Sequence, residues 1–350
     1  MPTITPSLFQ KKTKKKKTDF TFIDLFAGIG GTRIAFERAG GECVFSSEWD
    51  KDCQKTYQAN FGEIPHGDIT KIKASDIPDF DVLVAGFPCQ PFSSIGKRQG
   101  FKHAAQGTLF NDILRILEGK KNSLQPKAFL LENVQGLTTH DGGNTLKVIV
   151  ASLEEIGYSV KYEILNSKDF GVPQQRKRIY IVGFRKDLFG EDPGFKHPKG
   201  NLKEAFICDY LEKNKDGYSI SKHLQASYLY KIDDGRPLLV HHESKVQVKT
   251  LVASYHKIQR LTGTFVEDGP TGIRLFSENE CKAIMGFDKN FIIPVSRTQM
   301  YRQMGNSVVI PVVEAVAKKI AMKLKKVSVR METTKVVSKN INYPQVVANG

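Results

Sequence analysis

Short apolar runs separated by amphipathic stretches dominate the first half of the chain. Residues 20–26 are apolar and β-prone, the run Ala27-Gly28-Ile29-Gly30-Gly31 reads as a turn, and residues 32–39 suit a helix. Residues 42–46, 81–85 and 128–131 read as further strands. Residues 144–156 carry a helical stripe at Leu146, Ile149, Val150 and Leu153, and residues 178–183 read as a last buried strand. Strands separated by helical stretches predict an α/β fold with a doubly wound, mostly parallel sheet. No internal repeat is present.

The texture changes after about residue 184. Residues 185–298 are richer in Gly, Pro, Asp and Lys and show little periodicity, which predicts a smaller, loop-rich domain. Val312, Val313, Val316, Ile320 and Leu324 then recur at helical spacing, so a helix over 311–324 is expected to return to the first domain. The predicted division is a basic tail (1–18), a main domain (19–184 with 299–325), the loop-rich domain (185–298) and a C-terminal tail (326–350).

Composition narrows the function. The chain has 350 residues, 40% hydrophobic and 25% charged, enough for a sizeable core. No apolar run approaches the roughly 18 residues that span a bilayer. Lys11, Lys12 and Lys14 to Lys17 precede no apolar segment, so the N-terminus is not read as a secretory signal. Five scattered cysteines without a Cys-x-x-Cys pair argue against a disulfide framework or zinc site and for a reducing compartment. A net charge of +15 favours a polyanionic partner, nucleic acid above all.

Five segments carry candidate chemistry. The glycine turn at residues 27–31, between a strand and a helix, lets a ligand approach the backbone. Glu48 follows Gly28 by 20 residues, the spacing of an acid that binds ribose hydroxyls, and Trp49 is placed to stack on adenine. The compressed Gly28-x-Gly30-Gly31 favours a nucleoside ligand over a pyrophosphate, or simply a tight turn. Gly86-Phe87-Pro88-Cys89-Gln90-Pro91 places a thiol in a proline-restrained loop after a strand, where open α/β sheets build their sites. Its alternative is a buried structural cysteine. Glu132, ending another strand, would share that crevice as an acid beside a nucleophile, or stand as a surface acid. Gln174, Arg176 and Arg178 alternate on one face of an extended segment and suit a phosphate or a carbonyl, or a charged edge strand. Asn306 and Ser307, in Gly305-Asn306-Ser307-Val308 before the C-terminal helix, suit a helix cap.

Together these segments resemble the cytosine-5 DNA methyltransferases, in motif content and order, over about residues 20–325. Smaller matches are Gly67-Asp68-Ile69, Gly107-Thr108-Leu109-Phe110 and Glu280-Cys281 with Met285-Gly286-Phe287. The family pattern leads one to expect arginine directly before the Glu280-Cys281 pair, where Asn279 stands. Residues 185–275 match loosely and correspond to the target-recognition region.

The resemblance implies transfer of a methyl group from S-adenosylmethionine to carbon 5 of a flipped-out cytosine in double-stranded DNA, leaving S-adenosylhomocysteine and needing no metal. It implies catalytic roles for Cys89 as nucleophile, Glu132 at ring nitrogen 3, Arg178 at the cytosine carbonyl and Arg176 in positioning the backbone. For the cofactor it implies Phe26, Gly28, Ile29 and Gly31 around the methionine and sugar, Glu48 on the ribose, and Trp49 against adenine. Asp68 and Ile69 would meet the adenine edge, with Pro88 and Leu109 completing that wall. Asn306, Ser307 and Val308 would close the amino-acid end. A monomeric cytoplasmic prokaryotic enzyme paired with a restriction endonuclease is the implied setting. The alternatives are an RNA cytosine methyltransferase, to be separated by assays on DNA and RNA, and a non-catalytic nucleic-acid-binding relative. A nicotinamide-dependent oxidoreductase explains the glycine turn but not the Pro88-Cys89 loop.

Overall fold

The computed structural model describes residues 18–88, 109–120, 125–200 and 203–340. A six-stranded sheet organises them: β1 (Phe20–Leu25), β2 (Gly41–Ser47), β3 (Val82–Gly86), β4 (Ala128–Val134), β5 (Tyr158–Asn166) and β6 (Lys177–Arg185), in the order β2-β1-β3-β4-β6-β5. Strands β1 to β4 are parallel, and β6 runs antiparallel to both of its neighbours.

Period-two alternation sends the side chains of each strand to opposite faces. Ile23, Leu25, Leu83, Phe129 and Leu131 cover one face with Ile113, Ile116 and Leu117 of α3 (Leu109–Gly119) and Ile149 and Leu153 of α4 (Asn144–Glu155). Phe22, Val84, Leu130 and Val182 cover the other, with Ala35 and Phe36 of α1 (Gly31–Arg38). Helix α2 (Lys51–Phe61) follows β2; few of its residues are apolar, and Asp50 caps it by accepting from Asp52 N and Cys53 N. Helices on both faces of a mostly parallel sheet are the expected α/β architecture.

Three features go beyond the sequence pattern. Strand β5 lies at the edge of the sheet with four consecutive exposed residues, so its apolar alternation is broken. The expected strand over 178–183 is the middle of β6, which pairs with β5 as a hairpin and so enters the sheet reversed. The C-terminal helix α7 (Ile310–Asn340) outruns the expected 311–324, and its Val313, Val316 and Ile320 pack with Phe36 in one cluster.

Residues 186–298 contain one short parallel pair, β7 (Leu238–Val240) with β8 (Thr264–Val266), and helix α5 (Glu278–Met285). Helix α6 (Arg297–Asn306) follows. Phe265, Phe276 and Tyr301 belong to the same apolar cluster as the sheet face. Arg274, fully buried, grips Glu280 with two bonds of 2.8 Å, while Glu280 also accepts from Ser277 N. The arginine partner of Glu280 thus comes from six residues upstream, not from position 279. Among the described residues, no helix is long and apolar enough to cross a membrane.

Candidate active site

A cavity of about 660 Å³ opens at the carboxyl ends of β1, β3 and β4. Because β6 is reversed, its beginning reaches the same end: Arg178 pairs in register with Val134, the last residue of β4. A parallel strand would have delivered its other end.

The β1–α1 turn forms the first wall. Phe26 (φ 56°) and Gly28 (φ 56°) are both left-handed, which costs a side-chain-bearing residue roughly 1–2 kcal/mol. Glu48 braces this turn: its carboxylate accepts from Gly28 N at 2.8 Å and from Asp50 N at 2.8 Å. Burial raises the Glu48 carboxyl above its ordinary range, while those two donors pull it back. Trp49 beside it is 74% exposed, leaving an indole face free for a flat partner. Asp68 accepts from Thr70 N and Thr70 Oγ1, bonds that hold its carboxyl below the usual range, and Ile69 is buried next to it.

Gly31 serves packing as much as binding. A Cβ there would lie 2.9 Å from Ser307 Oγ and 3.1 Å from Val308 Cγ2, so a side chain at this position would oblige both to shift.

The second wall holds Pro88, Leu109 and Glu132. Buried Asn133 donates from Nδ2 to Phe87 O at 3.0 Å and accepts from Val134 N at 2.8 Å. The β3–β4 register ends at Gly86 and Glu132, and Pro88 has no N–H to extend it, so this side chain continues the ladder. Arg178 Nε lies 3.3 Å from Glu132 Oε1, close enough for an ion pair but without hydrogen-bond geometry, and that buried oxygen has no hydrogen-bond partner. Burial raises the Glu132 carboxyl, and Arg178 and Arg176 oppose the rise.

Arg176 also lines the cavity, but its guanidinium is committed to backbone. It donates to Leu251 O (3.0 Å), Gly305 O (3.1 Å) and Ser307 O (2.8 Å). Burial pushes its pKa down to about 10, with Arg178 adding to the fall. Gln174 is not among the residues lining the cavity: it accepts from Leu251 N and donates to Ile284 O. Gly305 completes this junction, since a Cβ there would sit 2.1 Å from Ala253 N.

All the expected binding residues among the described ones line this one cavity: Phe26, Gly28, Ile29, Gly31, Glu48, Trp49, Asp68, Ile69, Pro88, Leu109, Asn306, Ser307 and Val308, with Glu132, Arg176 and Arg178. Cys89 and the lysine-rich residues 11–17 lie outside the described residues. Asn306 ends α6 and Ser307 is its C-cap, so neither caps the start of α7. Sequence reasoning gave no separate role to Asn133, Arg302 and Gln303, which also line the cavity. Their neighbours Glu132 and Gly305 were the signal.

Sheet order, reversed β6 and cavity position define a methyltransferase-type α/β fold, and the chain belongs to the C-5 cytosine-specific DNA methylase family, whose pattern matches residues 20–322. It is a DNA (cytosine-5-)-methyltransferase. Among individual proteins it is similar to Type II methyltransferase M.MspI of Moraxella sp, 58% identical over 89% of this chain and 72% of that one. It is also similar to M.BsuFI of Bacillus subtilis, 60% identical over 88% and 74% respectively. The crystal structure of S. pombe Dnmt2 methyltransferase superposes with a TM-score of 0.68 at 23% identity, over 88% of this chain and 99% of that one, a likeness of fold.

Proposed function

We propose that the enzyme methylates carbon 5 of a flipped-out cytosine within a specific short duplex sequence, using S-adenosylmethionine, and that it shields host DNA from a cognate restriction endonuclease. The last clause rests on similarity to proteins named Type II methyltransferases. The observation that carries the chemistry is the buried Glu132 Oε1, without a hydrogen-bond partner and 3.3 Å from Arg178 Nε, in a cavity of about 660 Å³. That volume lies within the usual range for small-molecule sites, roughly 300–1,000 Å³.

The residues present fit the cofactor. Each Glu48 oxygen uses one lone pair on the backbone and keeps another for a ribose hydroxyl. The open face of Trp49 suits adenine, Asp68 and Ile69 its edge, and Asn306 to Val308 the amino-acid end. S-adenosylmethionine, when bound, supplies an electrophilic methyl group. Cys89, which directly follows Pro88 in the chain, attacks carbon 6 of the cytosine as a thiolate and makes carbon 5 nucleophilic. Glu132, its carboxyl raised by burial, holds a proton at ring nitrogen 3 and so limits the charge that builds during attack. Arg178 donates to the cytosine carbonyl. Arg176 positions the 251 and 305–307 segments around the site. Loss of the carbon 5 proton and then of Cys89 restores the ring. Residues 185–298 act as the target-recognition domain, joined to the site through Gln174 and Arg176.

Duplex DNA bearing 5-fluorocytosine at the target tests this reading. Fluorine replaces the proton that must leave, so a denaturation-resistant adduct at Cys89 should form only with S-adenosylmethionine, and Cys89→Ser should form none. An adduct on another cysteine, or equal methylation of RNA in place of DNA, would refute it.

A further inference from the structure

Three cations among the described residues line the cavity: Arg176, Arg178 and Arg302. Arg176 is locked onto three carbonyls, and Arg178 is divided between Glu132 and Lys177 O. Arg302 differs. It projects from α6 one turn before Asn306, its side chain is 53% exposed, and its nearest anion, Asp50 Oδ2, stands 3.7 Å from Nη2, beyond hydrogen-bond reach. Asp50 is otherwise engaged, since its Oδ1 caps α2. An exposed pair at such a distance holds little energy and exchanges partners readily.

The cavity also has four acids on its lining: Glu48, Asp50, Asp68 and Glu132. They suit hydroxyls and a cationic ligand but repel a carboxylate. An amino-acid ligand bound here therefore needs one mobile cation near the Asn306–Ser307 end. We propose that Arg302 leaves Asp50 to bind the α-carboxylate of the cofactor, and thereby selects ligands that carry this group. The proposal rests on the S-adenosylmethionine reading above. Asp50 keeps the guanidinium stationed at the cavity while no ligand is bound. Guanidinium suits this exchange because its planar fork meets a carboxylate through two parallel hydrogen bonds.

Calorimetry on the full chain tests it with S-adenosylhomocysteine, its decarboxylated analogue and 5′-methylthioadenosine. Arg302→Ala should weaken S-adenosylhomocysteine about tenfold, equivalent to ~1.4 kcal/mol, and leave the two ligands without a carboxylate almost unchanged. Arg302→Lys should recover part of the loss. Equal weakening of all three ligands would assign Arg302 a purely structural role and overturn the proposal, as would no weakening of any. Weaker DNA binding with unaltered S-adenosylhomocysteine affinity would assign Arg302 to a phosphate and overturn it too. If the wild-type protein binds none of the three, the cofactor reading fails first and takes this proposal with it.

Discussion

Asp24, next to last in β1, has no solvent contact. Its Oδ2 accepts the Thr32 hydroxyl at 2.5 Å, and its Oδ1 has no hydrogen-bond partner. Burial pushes this carboxyl from 3.8 up to about 7; Thr32 and Arg33 oppose the rise, and Glu48 adds to it. An acid raised in the folded state holds a proton that the unfolded chain has already released. Stability is therefore greatest below the unfolded value and falls as pH climbs through the folded one. The full span of about three units is worth ~4 kcal/mol at 1.36 kcal/mol per unit, a large share of a typical stability of roughly 5–15 kcal/mol. Between pH 5 and 8.5 about two of those units are traversed, or ~3 kcal/mol. Asp24→Asn cannot titrate. Urea denaturation of both proteins at fixed ionic strength should show the variant gaining about 3 kcal/mol on the wild type over that interval, whichever is the more stable at pH 5. Parallel profiles would refute the assignment and imply that Asp24 is ionised throughout.

Asn133→Ala strands Phe87 O and Val134 N, so fluorocytosine adduct formation should slow while DNA affinity stays within about twofold; the loss of a buried partner is typically worth ~1–3 kcal/mol, and unaltered trapping rates would show that the root of the loop needs no tether. Gly305→Ala should lower the melting temperature, because overpacking costs about 1–3 kcal/mol and outweighs the roughly 0.5–1 kcal/mol a helical alanine normally adds. A stabilised Gly305→Ala would mean that the 252–253 backbone shifts aside freely.

Strands β1, β3 and β4 were legible because both of their faces are buried, which writes them as continuous apolar runs. Strand β5 was not: Lys161, Tyr162, Glu163 and Ile164 are all exposed at the sheet edge, so its alternation is lost. The reversal of β6 was equally hidden, because strand direction depends on the hairpin joining it to β5 and not on the composition of either. Helix α2 was missed for want of apolar residues; its start is set by the Asp50 cap. At the site, the glycine turn with Glu48 and the acid at Glu132 could be read from position alone. Grouping Asp68, Leu109 and Asn306 with them needed the family resemblance, since they lie far apart in the chain. Arg274 went unread because burial of a charge depends on Asp268 and Glu280, which only the fold brings around it.

The three carbonyls beneath the Arg176 guanidinium lie 75, 129 and 131 residues further along the chain. A ribosome making this protein releases the whole sheet well before the last of them exists. The nascent chain already carries Glu48, Glu132 and Cys89, yet lacks the 305–307 segment on which Arg176 closes. The Arg176 junction is thus completed only once residue 307 has been made, and a chain stopped before it lacks two of the three carbonyls. The same arrangement permits the reverse: two fragments divided between β6 and Leu251, made separately, each hold half of one junction and have a reason to meet.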